Sequence, residues 1–405
     1  MNFKFKNKSG ITLIALIITI IVMLILVAVS ISVALNTGLF KSAGDATKNW
    51  KSAQDTEANV GSEIKIGDKT YSSIEEYIED TKPLPEGAGK KFTETKEYTD
   101  GTKTAVIPGG FTVSGIRNET KIDGGLVIYL IPDDEIENVK WDGTEKTKYD
   151  QFVWVPVTDA NKMFMCQAKT KSDSGCDLKI EGNEVICQTH KTADATKSKN
   201  MAGRLYATST GKNFNDSLTT QTYNANSGLR EPAKLSSTNS SYVNQEEEQK
   251  LDLQTEYNNA VKKVIESKGF WIGRYETSGM NSSNDDTAVN IVAGKRTSDG
   301  INNVNWYRMY KQQQNYANKK NLDPSKIQST MIFGAAWDQA MIFANYATET
   351  TPEKNFSTVI TGNVETDCYK NIYDLCGNLR EWTTEAIFTG SRVYMGRQLR
   401  LKLFC

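Results

Sequence analysis

The sequence predicts an α+β protein in which a long N-terminal membrane-spanning helix precedes a mixed head. Three observations carry this. Ile11 to Leu35 contains no charged side chain, three segments between residues 110 and 157 read as strands, and residues 329–346 set apolar side chains at helical spacing. Twenty-five residues at about 1.5 Å each make a helix of roughly 37 Å, enough to cross a hydrocarbon core of about 30 Å. The leader carries Lys4, Lys6 and Lys8 and no acid, so the positive-inside bias holds residues 1–10 in the cytoplasm and places the rest outside. The expectation is a single-pass protein of the cell membrane with an extracellular head.

The expected organisation is a leader at 1–10, a helix and its extension at 11–60 and a linker region at 61–104. A head at 105–394 follows, with an insertion at about 160–260, and then an atypical tail at 395–405. After the apolar run, Gly38 and Gly44 weaken the helical pattern. A second, short helix is expected at Ser73 to Asp80, capped by Ser72 or Ser73 and stopping before Pro83. The Lys, Glu, Gly and Thr of Pro83 to Gly101 read as linker.

Strand periodicity then takes over. Gly110-Phe111-Thr112-Val113-Ser114 alternates, Gly125 to Ile131 is a buried-strand run ending at Pro132, and Phe152 to Val157 is another, with Pro156 marking an end, bulge or edge. Residues 190–256 are polar and read as a long surface excursion. In the 329–346 helix, Trp337, Ala340, Met341 and Ala344 share one face. With 48 basic and 49 acidic residues, the charge balance gives no reason to expect a nucleic-acid partner.

The N-terminal stretch Lys8-Ser9-Gly10-Ile11-Thr12-Leu13-Ile14 resembles the class III signal of type IV prepilins. That resemblance implies cleavage after Gly10 by a prepilin peptidase, N-methylation of Ile11, and partnership with other pilin-like subunits. Ala15 stands where the pilin pattern has a glutamate, which points to a minor, tip or membrane-retained role. A conventional secretory signal cut near Ala28-Val29-Ser30, or an ordinary single-pass anchor, are the other readings of the same stretch.

Phe152-Val153-Trp154-Val155-Pro156, Gly269-Phe270-Trp271-Ile272-Gly273-Arg274-Tyr275-Glu276, Trp337-Asp338-Gln339-Ala340, and Tyr373-Asp374-Leu375-Cys376-Gly377-Asn378-Leu379-Arg380-Glu381-Trp382 occur in that order. Together they resemble the formylglycine-generating enzyme, or sulfatase-modifying factor, family. The resemblance implies a C-type-lectin-like head with Gly377, Asn378, Glu381 and Trp382 as its signature. It also implies calcium as a ligand of Asn378 and Glu381, against which stands turn capping by the same side chains. Oxidase members hold copper on a close cysteine pair beyond this motif, whereas only Cys405 follows it here, so copper and a catalytic set are not expected. The expected function is a binding or adhesion head for an extracellular ligand; the alternative is a related oxidase inactive in this form. The missing closing strands would leave an unpaired edge and uncover apolar surface behind Trp271 and Trp382.

Cys166, Cys176, Cys187 and the only histidine, His190, form a candidate zinc set. Their gaps of nine and ten residues between successive cysteines differ from the short pairs of structural zinc sites, so a disulfide among the three is the expectation. Mass spectrometry of the mature N-terminus is expected to find methylated Ile11, with cleavage blocked by Gly10→Val; intact Met1 or a terminus near Ile31 would contradict the prepilin resemblance.

Overall fold

The computed structural model describes residues 16–26, 64–144, 148–169, 175–192, 194–203, 245–277, 305–344, 361–362, 368–375, 381–388, 391–395 and 403–404. The chain divides into two compact units, Met1–Pro83 and Leu84–Cys405.

In the first unit, residues 16–26 are helical. At about 1.5 Å per residue their rise is near 16 Å, about half the hydrocarbon thickness. Among the described residues no helix is long and apolar enough to cross a membrane. The membrane-spanning helix and the single-pass membrane location are corrected accordingly. Gly10 and Ile11 lie outside the described residues.

The region read as linker carries regular structure. Strands β1 (Ile64–Ile66) and β2 (Lys69–Tyr71) form an antiparallel hairpin, and helix α1 (Ile74–Thr81) follows. The helix begins where the sequence places it: the Ser73 hydroxyl accepts from the Glu76 N–H at 3.1 Å, and the Glu76 carboxylate accepts from the Ser72 N–H at 2.6 Å. Each satisfies a donor that the first turn leaves free. Pro83 disfavours helical geometry at Lys82, which is the C-cap. Asp80 accepts from both Lys69 Nζ and the Tyr71 hydroxyl at 2.9 Å, tying α1 to β2.

The second unit is built on a six-stranded sheet, in the order β13-β18-β12-β7-β6-β5. Its strands are β5 (Thr112–Val113), β6 (Val127–Leu130), β7 (Asp150–Pro156), β12 (Gly269–Gly273), β13 (Thr330–Met331) and β18 (Leu403–Phe404). The pairings are antiparallel, and Trp154 lies directly opposite Trp271. Alternation of side chains along β7 divides the core. Val153 and Val155 pack on one face with Tyr257, Val261 and Trp337, while Phe152 and Trp154 pack on the other with Phe111, Trp271 and Tyr316. Burial on both faces explains why β7 reads as an apolar run, and it ends at Pro156, which has no N–H to continue the ladder.

Helix α2 (Leu253–Ser267) covers the first of these faces with Tyr257, Ala260, Val261 and Val264, a stripe at helical spacing, while Leu253 packs with Trp306, Met309 and Tyr310. Helix α3 (Trp306–Gln314) and helix α4 (Gly334–Phe343) complete the body. Trp337, Ala340, Met341 and Ala344 are all buried, as their spacing predicts.

The C-type-lectin-like head is corrected to a mixed α/β body whose organising element is this antiparallel sheet, covered on both faces. Strand β12, which carries Trp271, is paired on both sides. Residues of the segment read as a tail form β18, which lies between β12 and β13, pairing Phe404 with both Ile272 and Thr330.

An ion pair sits beside the sheet. Arg274, just past β12, directs Nη1 to Glu119 Oε1 at 2.7 Å and Gln151 Oε1 at 3.1 Å, and Nη2 to Asn371 Oδ1 at 3.3 Å. The other oxygen of Glu119 accepts from Ser114 and Tyr129 at 2.7 and 2.8 Å. Burial alone raises the Glu119 carboxyl, but the Arg274 charge and these hydrogen bonds outweigh it and hold the group below its ordinary 4.5. A carboxyl depressed in the folded state contributes stability above its unfolded value and loses it as pH falls through the folded one. Glu119→Ala, which strands a buried guanidinium, is expected to cost about 3–5 kcal/mol in urea unfolding at neutral pH. The gap from the parent should narrow below about pH 4; a cost under about 1 kcal/mol would show that the pair contributes little.

Candidate metal centre

Four potential ligands converge in the segment between β7 and α2. Strand β8 (Phe164–Cys166) pairs antiparallel with β11 (Met201–Gly203), setting Cys166 opposite Met201. Strands β9 (Leu178–Glu181) and β10 (Glu184–Cys187) form a hairpin in which Cys187 lies opposite Leu178. Gly182, at φ +62 and first in the two-residue turn, supplies the left-handed conformation such a hairpin needs.

That register brings Cys187 beside Cys176, two residues before Leu178. The Leu178 N–H donates to Asn161 Oδ1 at 2.8 Å and the Gln188 N–H to Asp177 O at 2.8 Å, fixing both sides of the approach. The turn after β10 then carries His190 back over the three sulfurs.

His190 Nδ1 lies 3.2 Å from the sulfurs of Cys166 and Cys187 and 3.7 Å from that of Cys176. The Cys166 and Cys176 sulfurs are 3.8 Å apart, and one ligand atom from each of the four residues falls within 4.8 Å of the others. All four residues are buried.

Around a tetrahedral zinc ion with Zn–S bonds of about 2.3 Å and a Zn–N bond of about 2.0 Å, ligand atoms stand roughly 3.5–3.8 Å from one another. The cluster is therefore already near the size of such a site. The disulfide expected among these cysteines is corrected: Cys166, Cys176 and Cys187 are free thiols, and 3.8 Å is far beyond a bond of about 2.05 Å.

The protonation pattern follows from crowding. Contact with the Cys166 sulfur pulls Cys176 below the ordinary thiol value of 9.0 despite burial, with help from the Cys166 N–H, Cys187 and His190. The same thiol contact, added to burial, pushes Cys166 well above it. Three thiolates and one imidazole make a soft to borderline donor set suited to Zn2+, and four protein donors leave no coordination position for substrate or water.

The other residues singled out in the sequence do not form a second centre among the described residues. Gly377 and Asn378 lie outside them, so the expected calcium pair with Glu381 cannot be placed. Glu381 opens strand β16 (Glu381–Phe388), and Trp382 is half-buried against the small cluster of Trp306, Met309 and Tyr310.

The sequence held one usable signal for the metal centre. Cys187-Gln188-Thr189-His190 is a short ligand pair of the kind structural zinc sites use, and the gap from Cys176 to Cys187 is folded back by the β9–β10 hairpin. No family model, curated protein or solved structure matches the chain. The C-type-lectin-like layout therefore gains no support from a solved structure.

Proposed function

We propose that residues 84–405 form a binding body without catalytic chemistry of its own, in which a structural Zn2+ held by Cys166, Cys176, Cys187 and His190 closes the insertion between β7 and α2. The observation that carries this reading is the convergence of those four buried side chains within 4.8 Å. Three thiols and an imidazole packed together without a shared ion would crowd polar groups in a site where water cannot serve them, while a metal uses every donor. A closed four-ligand shell stabilises and does not activate water, so the metal's role is to hold a surface in place.

The metal acts on α2 through the insertion. Gln167 donates to Gln254 at 2.8 Å and the Met201 N–H to Asn258 Oδ1 at 3.2 Å, so the β8–β11 pair, which carries Cys166, is fastened to the helix that covers the sheet. Removing the ion is expected to loosen this attachment before the sheet itself opens.

The full chain, purified under reducing conditions without chelator, is expected to contain about one zinc per molecule by elemental analysis. Cys187→Ser and His190→Ala should each lower metal content severalfold and reduce the temperature of the first unfolding transition. Metal-free protein with a disulfide between any two of Cys166, Cys176 and Cys187, found by peptide mapping of unreduced material, would overturn the proposal.

A further inference from the structure

Beside α2, at the start of β12, lies a cavity of about 160 Å3 that none of the metal-centre residues lines. Its walls include Trp154, Trp271 and Phe270, and Lys263 of α2 and Lys326 stand exposed at its edge. An apolar protein cavity of about 150 Å3 accommodates benzene, so this one has room for a single six-membered ring.

Charge narrows the class of occupant. Among the described residues no aspartate or glutamate lines the cavity. Lys263 has no acidic partner among the described residues, and Lys326 shares only an exposed pair with Asp323 at 3.5 Å. Exposed pairs of that kind are weak, so both ammonium groups remain available to an anion at the mouth.

A second observation comes from the two tryptophans. Their rings are 5.1 Å apart, and Trp271 donates its indole N–H to the Val106 carbonyl at 3.0 Å. Trp154, only 1% exposed, leaves its indole N–H with no acceptor. Indole nitrogen only donates, and a buried donor without an acceptor calls for an explanation. Gly269, which also lines the cavity, lies against this ring: a Cβ there would come 2.3 Å from Trp154 Cζ2 and 2.6 Å from Cε2, the carbon bonded to the indole nitrogen. The glycine thus lets the nitrogen-bearing edge of the ring lie beside the cavity wall.

We propose that this cavity binds a small aromatic monocarboxylate, its ring against Trp271 and Phe270, its carboxylate at the mouth beside Lys263 and Lys326, and an oxygen at the far end of the ring within reach of Trp154. The site goes beyond the metal reading and does not depend on it.

The test is a titration of the full chain with 4-hydroxybenzoate, followed by tryptophan fluorescence, with 4-hydroxybenzylamine and 4-hydroxybenzamide as cationic and neutral counterparts. For a ligand of this size the expected Kd is near 1 mM or tighter. The amide should bind at least about tenfold more weakly and the amine not measurably, which corresponds to a loss of about 1.4 kcal/mol or more. Lys263→Glu together with Lys326→Glu, both at exposed positions, should abolish binding with the circular dichroism spectrum unchanged. Fluorescence unmoved by 4-hydroxybenzoate up to about 20 mM, equal affinity for the amine, or full binding by the double variant would each overturn the proposal.

Discussion

Three thiols and an imidazole held within 4.8 Å of one another, all buried, set the constraint on which the insertion between β7 and α2 depends. Among its described residues the segment has the β9–β10 hairpin, the pair of β8 with β11, and two short helices, Ala160–Met163 and Gln245–Gln249, to hold it together. Loops of this length bury backbone only when something ties them down. Strand β8 brings Cys166, the stretch before β9 brings Cys176, the β9–β10 hairpin brings Cys187, and the following turn brings the histidine. The ligand geometry and the strand register are thus a single feature: a one-residue slip in either strand pair would turn a sulfur out of the cluster.

The sheet follows a different logic. Its central strand β7 is buried on both faces, and its stability rests on apolar packing with the Arg274 and Glu119 pair set at one end. That pair links the strands to chain segments far away in sequence, through Asn371 and through the hydrogen bond from the Tyr373 N–H to the Arg274 carbonyl at 2.9 Å. Gly125 belongs to the same contact. At φ +92 its Cβ would come 1.9 Å from the Lys370 carbonyl oxygen, and its own carbonyl accepts from Asn371 at 2.7 Å. The guanidinium is engaged by the protein, which makes this a structural centre and leaves binding chemistry to the surface beside α2.

Local signals were legible in the sequence wherever a short-range rule decided the outcome. Ser73 and Glu76 mark the start of α1, the apolar runs mark β6 and β7, and the spacing of Trp337, Ala340 and Met341 marks α4. Long-range pairing was not legible. Nothing in Leu403-Phe404 announces a strand that fills the space between β12 and β13, because two residues carry no periodicity of their own. The metal centre failed for a related reason: ligand gaps measured along the chain mislead when hairpins fold the gaps away, and only the Cys187 to His190 pair is local. The apolar run near the N-terminus satisfied a length rule that the described helix, residues 16–26, does not reach.

The most direct measurement of the central claim is X-ray absorption at the zinc edge of the purified full chain. The arrangement predicts a shell of three sulfur atoms at about 2.3 Å and one nitrogen at about 2.0–2.1 Å, with outer-shell scattering from an imidazole ring. A shell of oxygen and nitrogen alone, or the same spectrum retained after Cys166, Cys176 and Cys187 are all changed to serine, would contradict it.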